Sequence, residues 1–389
     1  MKKIIFHIDL DAFFATCEEI INPKLRNKAF VVSGRNKRSV ISCASYPARK
    51  YGIKAGLPVY LEIKKKPDLI IVPGHYELYD EFSSKFFDFI KTNYSNICEE
   101  MSIDECFIDV TKELKHYKNN SHLLAKHMQK NIKNRLGLSC SIGISYNKFL
   151  AKMATDLNKP FGITEIMTKN DIQNKIWPLG IEQMFMIGNS TASKLKCIGI
   201  KTIKDLAMCH NNQKINSILL PNSIDEIIDL ANGEGSDFVD PSKNEPKSQS
   251  ISHSLLDETN DILEIENLFK NIAKELSIKL NSYNMVCHTI GVVYKINNKT
   301  YILSHKLNKP IYCYEDIYEQ ALKLFANNYD SNKKIKLLGI NALKLINIKQ
   351  PSLTNMTKHK TNKIENIVNI VNKKIGKNLV YIAFDKFNY

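Results

Sequence analysis

Two acidic strand ends constrain this chain more than any other feature. Near the start, Lys3 to Leu10 alternates, with Ile4, Phe6, Ile8 and Leu10 facing one way and Ile5, His7 and Asp9 the other. That is the period of a half-buried strand. Asp9 stands at its end, and Asp11 follows just before a helical run, Ala12 to Ile21, which Asn22-Pro23 stops. About 95 residues on, Ser102-Ile103-Asp104-Glu105 leads into a second alternating run, Cys106 to Val110. There Glu105, Phe107 and Asp109 share one face, and Cys106, Ile108 and Val110 the other. Carboxylates so distant in sequence meet only if their strands are neighbours in one sheet. In a flat strand Asp104 and Glu105 point to opposite faces, so joint action requires a strand end or a bend. Brought together, Asp9, Asp104 and Glu105 make an all-oxygen set suited to Mg²⁺. A triphosphate usually completes such a site, because Mg²⁺ is seldom caged by protein alone.

Between the two strands lies a small insert, Ala29 to Tyr76. Phe30-Val31-Val32 and Ser39 to Cys43 read as strands around the polar turn Gly34-Arg35-Asn36-Lys37-Arg38. The helical turn Ser45 to Gly52 puts Tyr46, Arg49 and Lys50 on one face, and a guanidinium matches phosphate oxygens. A solvated helix with Tyr46 in the core fits the same pattern. Glu77 to Asn93 is amphipathic, with Leu78, Phe82, Phe86, Phe89 and Ile90 at core spacing. Leu123 to Leu136 is a further helix, Ser139 to Ser145 a strand, and Asn147 to Leu157 a helix with Lys148 and Lys152 on one face. It stops at Asn158-Lys159-Pro160-Phe161-Gly162.

From Trp177 to Met208, apolar-glycine turns at Ile187-Gly188 and Ile198-Gly199 precede helical segments. The free N–H groups at such a turn suit a phosphate, although ordinary helix caps in a small bundle fit as well. Asn232 to Lys247 is rich in Gly, Pro and polar residues and reads as a linker. The remainder has the order β-α-β-β-α-β: Ser248 to Leu255, Ile262 to Leu280, a hairpin of Thr289 to Lys295 and Lys299 to Lys306 around Asn297-Asn298, Glu315 to Asn327, and Ile335 to Leu345. Lys295, Lys299, His305, Lys306 and Lys309 suggest a basic sheet face toward a phosphate backbone. The tail from Ile348 is rich in lysine, with helical apolar spacing over 361–375.

Composition narrows the function classes. Nine cysteines include no C-x-x-C pair, which argues against a zinc site or a disulfide scaffold and for a reducing, cytoplasmic setting. No apolar run approaches the ~20 residues of a membrane span. A net charge of +15 favours a polyanionic partner, nucleic acid before membrane.

Several stretches then agree with one family. Asp9-Leu10-Asp11-Ala12-Phe13-Phe14-Ala15, Tyr46-Pro47-Ala48-Arg49-Lys50-Tyr51-Gly52, Ser102-Ile103-Asp104-Glu105, and Gly143-Ile144-Ser145 running on to Lys148, Ala151-Lys152 and Lys159-Pro160 with Gly162 occur in order over about 345 residues. In these the chain resembles the Y-family translesion DNA polymerases of the DNA polymerase IV branch.

The resemblance implies an α+β, multidomain right hand: palm 1–18 and 77–166, fingers 19–76, a helical thumb 167–234 with helix-hairpin-helix-like turns, a linker 235–247, a C-terminal little finger 248–346 and a basic tail 347–389. It implies Asp9, Asp104 and Glu105 as catalytic acids, holding two Mg²⁺ ions with the Leu10 carbonyl. Phe14 corresponds to the steric gate against a ribose 2′-hydroxyl. Phe13, Phe14, Cys43, Tyr46, Arg49 and Lys159 would contact the incoming deoxynucleoside triphosphate, and Gly188 and Gly199 the DNA backbone. The implied enzyme is a monomer that extends a primer on template DNA past damaged bases.

Three departures stand out. Met186 occupies a turn position where the family has glycine, which is unfavourable if φ is positive there. Cys43 replaces a hydroxyl residue. Gln350-Pro351-Ser352-Leu353-Thr354 lies where a sliding-clamp peptide belongs but lacks its closing aromatic. Two rival readings are a DNA-binding module without activity and an untemplated palm-type phosphotransferase. Primer extension and its need for an annealed template separate them.

Overall fold

The computed structural model describes residues 3–34, 39–209, 215, 218, 221–297 and 299–347. The turn at 35–38, Asn298, and the tail from 348, with the clamp-like stretch at Gln350 to Leu353 and the helix expected at 361–375, lie outside the described residues. The chain forms two compact units, 1–244 and 245–389.

In the first unit, β1 (Ile5–Leu10) passes directly into α1 (Phe13–Ile21). The change of direction is made at Ala12, whose φ of 45° is left-handed backbone that a side chain disfavours. The insert builds a sheet of its own from β2 (Phe30–Ser33), β3 (Ile41–Ala44) and β4 (Ile70–Pro73), in the order β3-β2-β4. Two short helices connect them, α2 (Tyr46–Arg49) and α3 (Val59–Glu62), over a core of Val31, Ile41, Ala48, Ile53 and Val59. Ser45 caps α2, its Oγ accepting the Ala48 N–H at 3.3 Å.

The chain continues through α4 (Tyr76–Asn93), β5 (Cys98–Glu100), β6 (Glu105–Asp109), α5 (Ser121–Leu136), β7 (Cys140–Ser145), α6 (Lys148–Leu157) and β8 (Ile163–Ile166). The palm sheet has the order β5-β6-β1-β7-β8, so β1 lies between β6 and β7, antiparallel to both. Phe6, Ile8, Cys106, Ile108, Ile142 and Ile144 fill one face and pack with α4 and α5. Burying a side chain as large as Phe6 or Phe86 contributes about 1.5–3 kcal/mol. On α4 the deepest residues are Tyr79, Phe86 and Ile90, while Leu78, Phe82 and Phe89 are only partly buried. Helix α6 covers the other face at very short range. A Cβ on Gly143 would lie 2.0 Å from the Ala151 carbonyl oxygen, so β7 admits only glycine there.

Helices α7 (Lys169–Asp171), α8 (Asn189–Cys197), α9 (Ile203–Ala207) and α10 (Pro221–Ala231) occupy the stretch expected as the thumb, α7 running on into a π-helical turn, Ile172–Ile176. Their core joins Ile176, Ile181, Leu195, Ile203 and Leu206 to Leu150 and Ala154 of α6. Part of the stretch read as a linker belongs to this unit. Val239 is buried with Ile5, Phe107 and Ala151. Asn244 bonds β5 in both directions, accepting the Glu100 N–H at 2.8 Å and donating to the Cys98 carbonyl at 3.1 Å.

The second unit follows the expected order: β9 (Ser248–Thr259), α11 (Ile262–Ser282), β10 (Met285–Ile296), β11 (Lys299–Ile311), α12 (Tyr314–Ala326) and β12 (Ile335–Asn347). Its antiparallel sheet, ordered β11-β10-β12-β9, packs one face on both helices through Ile290, Val292, Tyr294, Leu338 and Ile340. The expected five-residue basic face is corrected by strand parity. Lys299 and His305 pair with Ile296 and Ile290 and so share the helix-covered face. Lys295 and Lys306 pair with Thr300 and Thr289 and share the open face. Lys309 falls in the irregular stretch opposite Cys287 to Thr289.

Candidate active site

The acidic residues converge as the strand order demands. Asp9 on β1 is directly opposite Glu105 on β6. Asp104 lies in the bend just before β6, and its carbonyl accepts the Leu10 N–H at 2.9 Å. Asp104 thus stands in a bend before the strand, not within it. Ser102 Oγ donates to Asp104 Oδ1 at 2.6 Å. Burial, reinforced by the charges of Asp9 and Glu105, pushes the Asp104 carboxyl up despite that bond.

A cleft of about 190 Å³ opens beside them. Asp9, Leu10 and Asp104 line it from the palm, with Phe13 and Phe14 from the start of α1, Cys43 from β3, Tyr46 and Arg49 from α2, and Lys159 from the loop after α6. The structure therefore gathers all six predicted nucleotide-site residues at one place. Glu105, Gly188 and Gly199 do not line the cleft. Of the three residues first grouped as a grip, Tyr46, Arg49 and Lys50, only Lys50 does not line the cleft.

Two lysines hold the acids. Lys152 Nζ reaches Glu105 at 2.6 Å and Asp9 at 3.3 Å. Lys159 Nζ reaches Asp9 at 2.7 Å and Asp156 at 2.8 Å. Burial opposes both ammonium charges, but Asp156, Asp9 and, for Lys152, Glu105 outweigh it and hold the pKa values up. Burial likewise opposes ionisation of Glu105, yet the facing His7 ring and the hydrogen-bonded Lys152 ammonium keep its carboxyl well below the usual range.

The expected ligand set Asp9, Leu10, Asp104 and Glu105 is thus assembled but not closed into a coordination sphere. Among the described residues, no three His, Cys, Asp or Glu groups are arranged to hold an ion. Asp9 and Glu105 instead pair with the Lys152 and Lys159 ammonium groups. The donors themselves fit a divalent cation. They are hard oxygens at one strand end, and the repulsion felt by Asp104 is what its charge would relieve.

Two residues of the site were not identified from the sequence. Asp11 is 2% exposed and accepts from Ser139 Oγ at 2.8 Å, Ser141 Oγ at 2.7 Å and the Phe161 N–H at 2.9 Å. The Tyr46 hydroxyl approaches it at 3.4 Å. Asp11 therefore ties β7, the loop after α6 and the fingers to the start of α1. Burial and then the Asp11 charge raise the Tyr46 phenol pKa, so the phenol stays protonated and donates. The Arg49 guanidinium lies over the Tyr46 ring at 4.7 Å, and its Nε donates to the Ala44 carbonyl at 3.0 Å. The second residue, His7, is fully buried, with Nδ1 2.9 Å from Thr155 Oγ1. Its Nε2 faces Glu105 at 3.4 Å, long for a hydrogen bond. Asp-x-Asp spacing hinted at Asp11, whereas nothing local marks His7.

A carboxylate-bearing palm sheet, a small cleft-lining fingers insert, a helical thumb and a β-α-β-β-α-β second unit together define the Y-family DNA polymerases. The family models agree: that of the impB/mucB/samB family matches residues 8–156 and that of its C-terminal domain residues 246–355. The chain belongs to the impB/mucB/samB family. It is 39% identical over 349 residues to the DNA polymerase IV of Ureaplasma parvum serovar 3, covering 89% of this chain and 95% of the relative. It is 34% identical over 387 residues to the DNA polymerase IV of Bacillus velezensis, covering 97% and 92%. A solved Y-family DNA polymerase chimera has the same fold, with a TM-score of 0.77 at 24% identity over 88% of this chain and 99% of that one. Among the described residues, no helix is long and apolar enough to cross a membrane.

Proposed function

We propose that this chain is a DNA-directed DNA polymerase that adds deoxynucleotides to a primer 3′ end by two-metal phosphoryl transfer, with low fidelity and past damaged bases. The observation that carries this is the convergence of Asp9, Asp104 and Glu105 at one strand end, beside a cleft that Asp9 and Asp104 line together with Phe14, Tyr46, Arg49 and Lys159. Asp9, Asp104 and Glu105, with the Leu10 carbonyl, would hold two Mg²⁺ ions per site. Those ions supply acidification of the primer 3′-hydroxyl and neutralisation of charge on the transferred phosphoryl group.

The chain's own residues do the rest. Arg49 and Lys159 bind the triphosphate, and the protonated Tyr46 hydroxyl donates to it. Lys159 and Lys152, which pair with Asp9 and Glu105, neutralise the acids that would hold the ions. Cys43 lines the same cleft in place of a hydroxyl residue, a difference of ~1 kcal/mol if one hydrogen bond is lost. Phe14 excludes a 2′-hydroxyl by contact, beside Phe13. Gly188, at the start of α8, and Gly199, at φ 95°, leave backbone room for a DNA phosphate in the thumb. The partners are primer-template DNA and deoxynucleoside triphosphates. We place the enzyme in the cytoplasm as a monomer, with any sliding-clamp contact near Gln350 to Leu353 weakened by the missing aromatic.

Primer extension on undamaged and abasic templates tests the reading. Wild type extends both in Mg²⁺. Asp104→Ala and Glu105→Ala each lose extension by at least ~10³-fold while retaining primer-template binding. Near-wild-type extension by either variant overturns the acid assignment.

A further inference from the structure

We propose that Glu18 is a positioning residue for sugar selection, acting through Tyr79 on Phe14. The proposal rests on the reading of Phe14 as the steric gate. Phe14 and Glu18 lie one helical turn apart on α1, so their side chains share a face. Tyr79 of α4 stands against both. Its ring stacks on Phe14 with centroids 4.4 Å apart and planes at 14°. Its hydroxyl donates to Glu18 Oε1. His75, at the start of α4, meets the same oxygen through Nδ1 at 2.8 Å. Glu18 is 2% exposed and Tyr79 fully buried. A carboxylate so placed is tolerated only while its partners hold it.

A second brace acts on the edge of the gate. Tyr76, one turn before Tyr79, meets Phe14 edge-on at 5.9 Å and 86°. The Tyr76 hydroxyl is 3.0 Å from Ser42 Oγ on β3. The flat face of Phe14 is therefore closed by a ring that cannot slide without breaking a buried hydrogen bond. Neither Glu18 nor Tyr79 lines the cleft, so neither acts on the nucleotide directly. A gate works by steric overlap, which is steep in distance, and a small retreat of the ring relieves it. Loosening the brace should admit ribonucleotides without slowing deoxynucleotides.

The test is single-turnover incorporation of matched deoxy- and ribonucleotides by the full-length chain. The variants are Phe14→Ala, Tyr79→Phe, Glu18→Ala and the Phe14→Ala/Glu18→Ala double. Tyr79→Phe keeps the ring and loses only its bond, so the test stands even if Glu18→Ala folds poorly. The expected result is a ribo/deoxy ratio raised about fivefold in Tyr79→Phe and further in Glu18→Ala. The deoxynucleotide rate should stay within about threefold of wild type. In the Phe14→Ala background Glu18→Ala should add nothing, an outcome that general destabilisation does not produce. An unchanged ratio in Tyr79→Phe and Glu18→Ala, with a raised ratio in Phe14→Ala, overturns the positioning role alone. An effect of Glu18→Ala that persists undiminished without Phe14 also overturns it. An unchanged ratio in Phe14→Ala removes the gate reading and this proposal with it.

Discussion

Met186 carries a backbone penalty that glycine would not. Its φ is 76° in the turn before α8, and its side chain is 60% exposed, so it has little packing to set against the strain. Left-handed backbone costs an ordinary residue roughly 1–2 kcal/mol, and the greater freedom of glycine in the unfolded chain takes back about 0.4–1 kcal/mol. Met186→Gly should therefore stabilise the first unit by about 0.5 kcal/mol, a rise of about 1–2 °C in its thermal midpoint. Met186→Val, branched at Cβ, should lower it. A midpoint that falls in Met186→Gly would mean that the exposed side chain packs more than its exposure indicates. This departure was legible in the sequence through the family resemblance, which implies a glycine where Met186 stands. Asp11 was legible as a carboxylate but not as a hub. Its partners Ser139, Ser141 and Phe161 lie about 130–150 residues away, and only the β1–β7 register brings them near. His7 is similar: the alternation placed it on the Asp9 face, but its contact with Glu105 requires the β1–β6 pairing.

At the scale of elements, the last segment of the first unit, around Asp240 to Lys243, is fastened by Glu99 on β5. Its carboxylate, 3% exposed, accepts from Lys148 Nζ at 2.8 Å, the Asp240 N–H at 2.9 Å and Lys243 Nζ at 3.2 Å. Burial opposes its ionisation, but these donors outweigh burial and hold the Glu99 pKa below its ordinary value. A depressed folded-state pKa stabilises fully above the unfolded value of about 4.3, and the effect is lost as pH falls through the lower folded value. Glu99→Gln should thus destabilise the first unit by about 1–3 kcal/mol at pH 7, with the gap to wild type closing in acid. Amide exchange at Asp240 should quicken in the variant at pH 7. Equal protection there would show that Val239 and Asn244, not Glu99, hold the segment. Gly- and Pro-rich composition suggested a free linker because composition does not report docking. Strand β4 was missed for a related reason. Its residues pair in parallel with β2 across the whole insert, and a four-residue apolar run carries too little periodicity to declare itself.

On the scale of the whole molecule, the architecture was the most legible part, since alternation and helical spacing recur through both units and the family's motifs fall in order. Strand faces were less so. Parity along β10 and β11 was readable, but the face covered by α11 and α12 was not, and the basic residues were therefore pooled. The corrected assignment gives a test of how DNA is bound. A chain of net charge +15 should bind primer-template with strong salt dependence, because each neutralised phosphate releases counterions. If the open face of the second unit meets the DNA backbone, Lys295→Ala and Lys306→Ala should each flatten the slope of log affinity against log salt by about one. Lys299→Ala, on the helix-covered face, should leave it nearly unchanged. Fluorescence anisotropy of labelled primer-template over about 50–200 mM salt measures all three. Equal flattening by Lys299→Ala would mean that DNA follows the edge strand β11 rather than the open face.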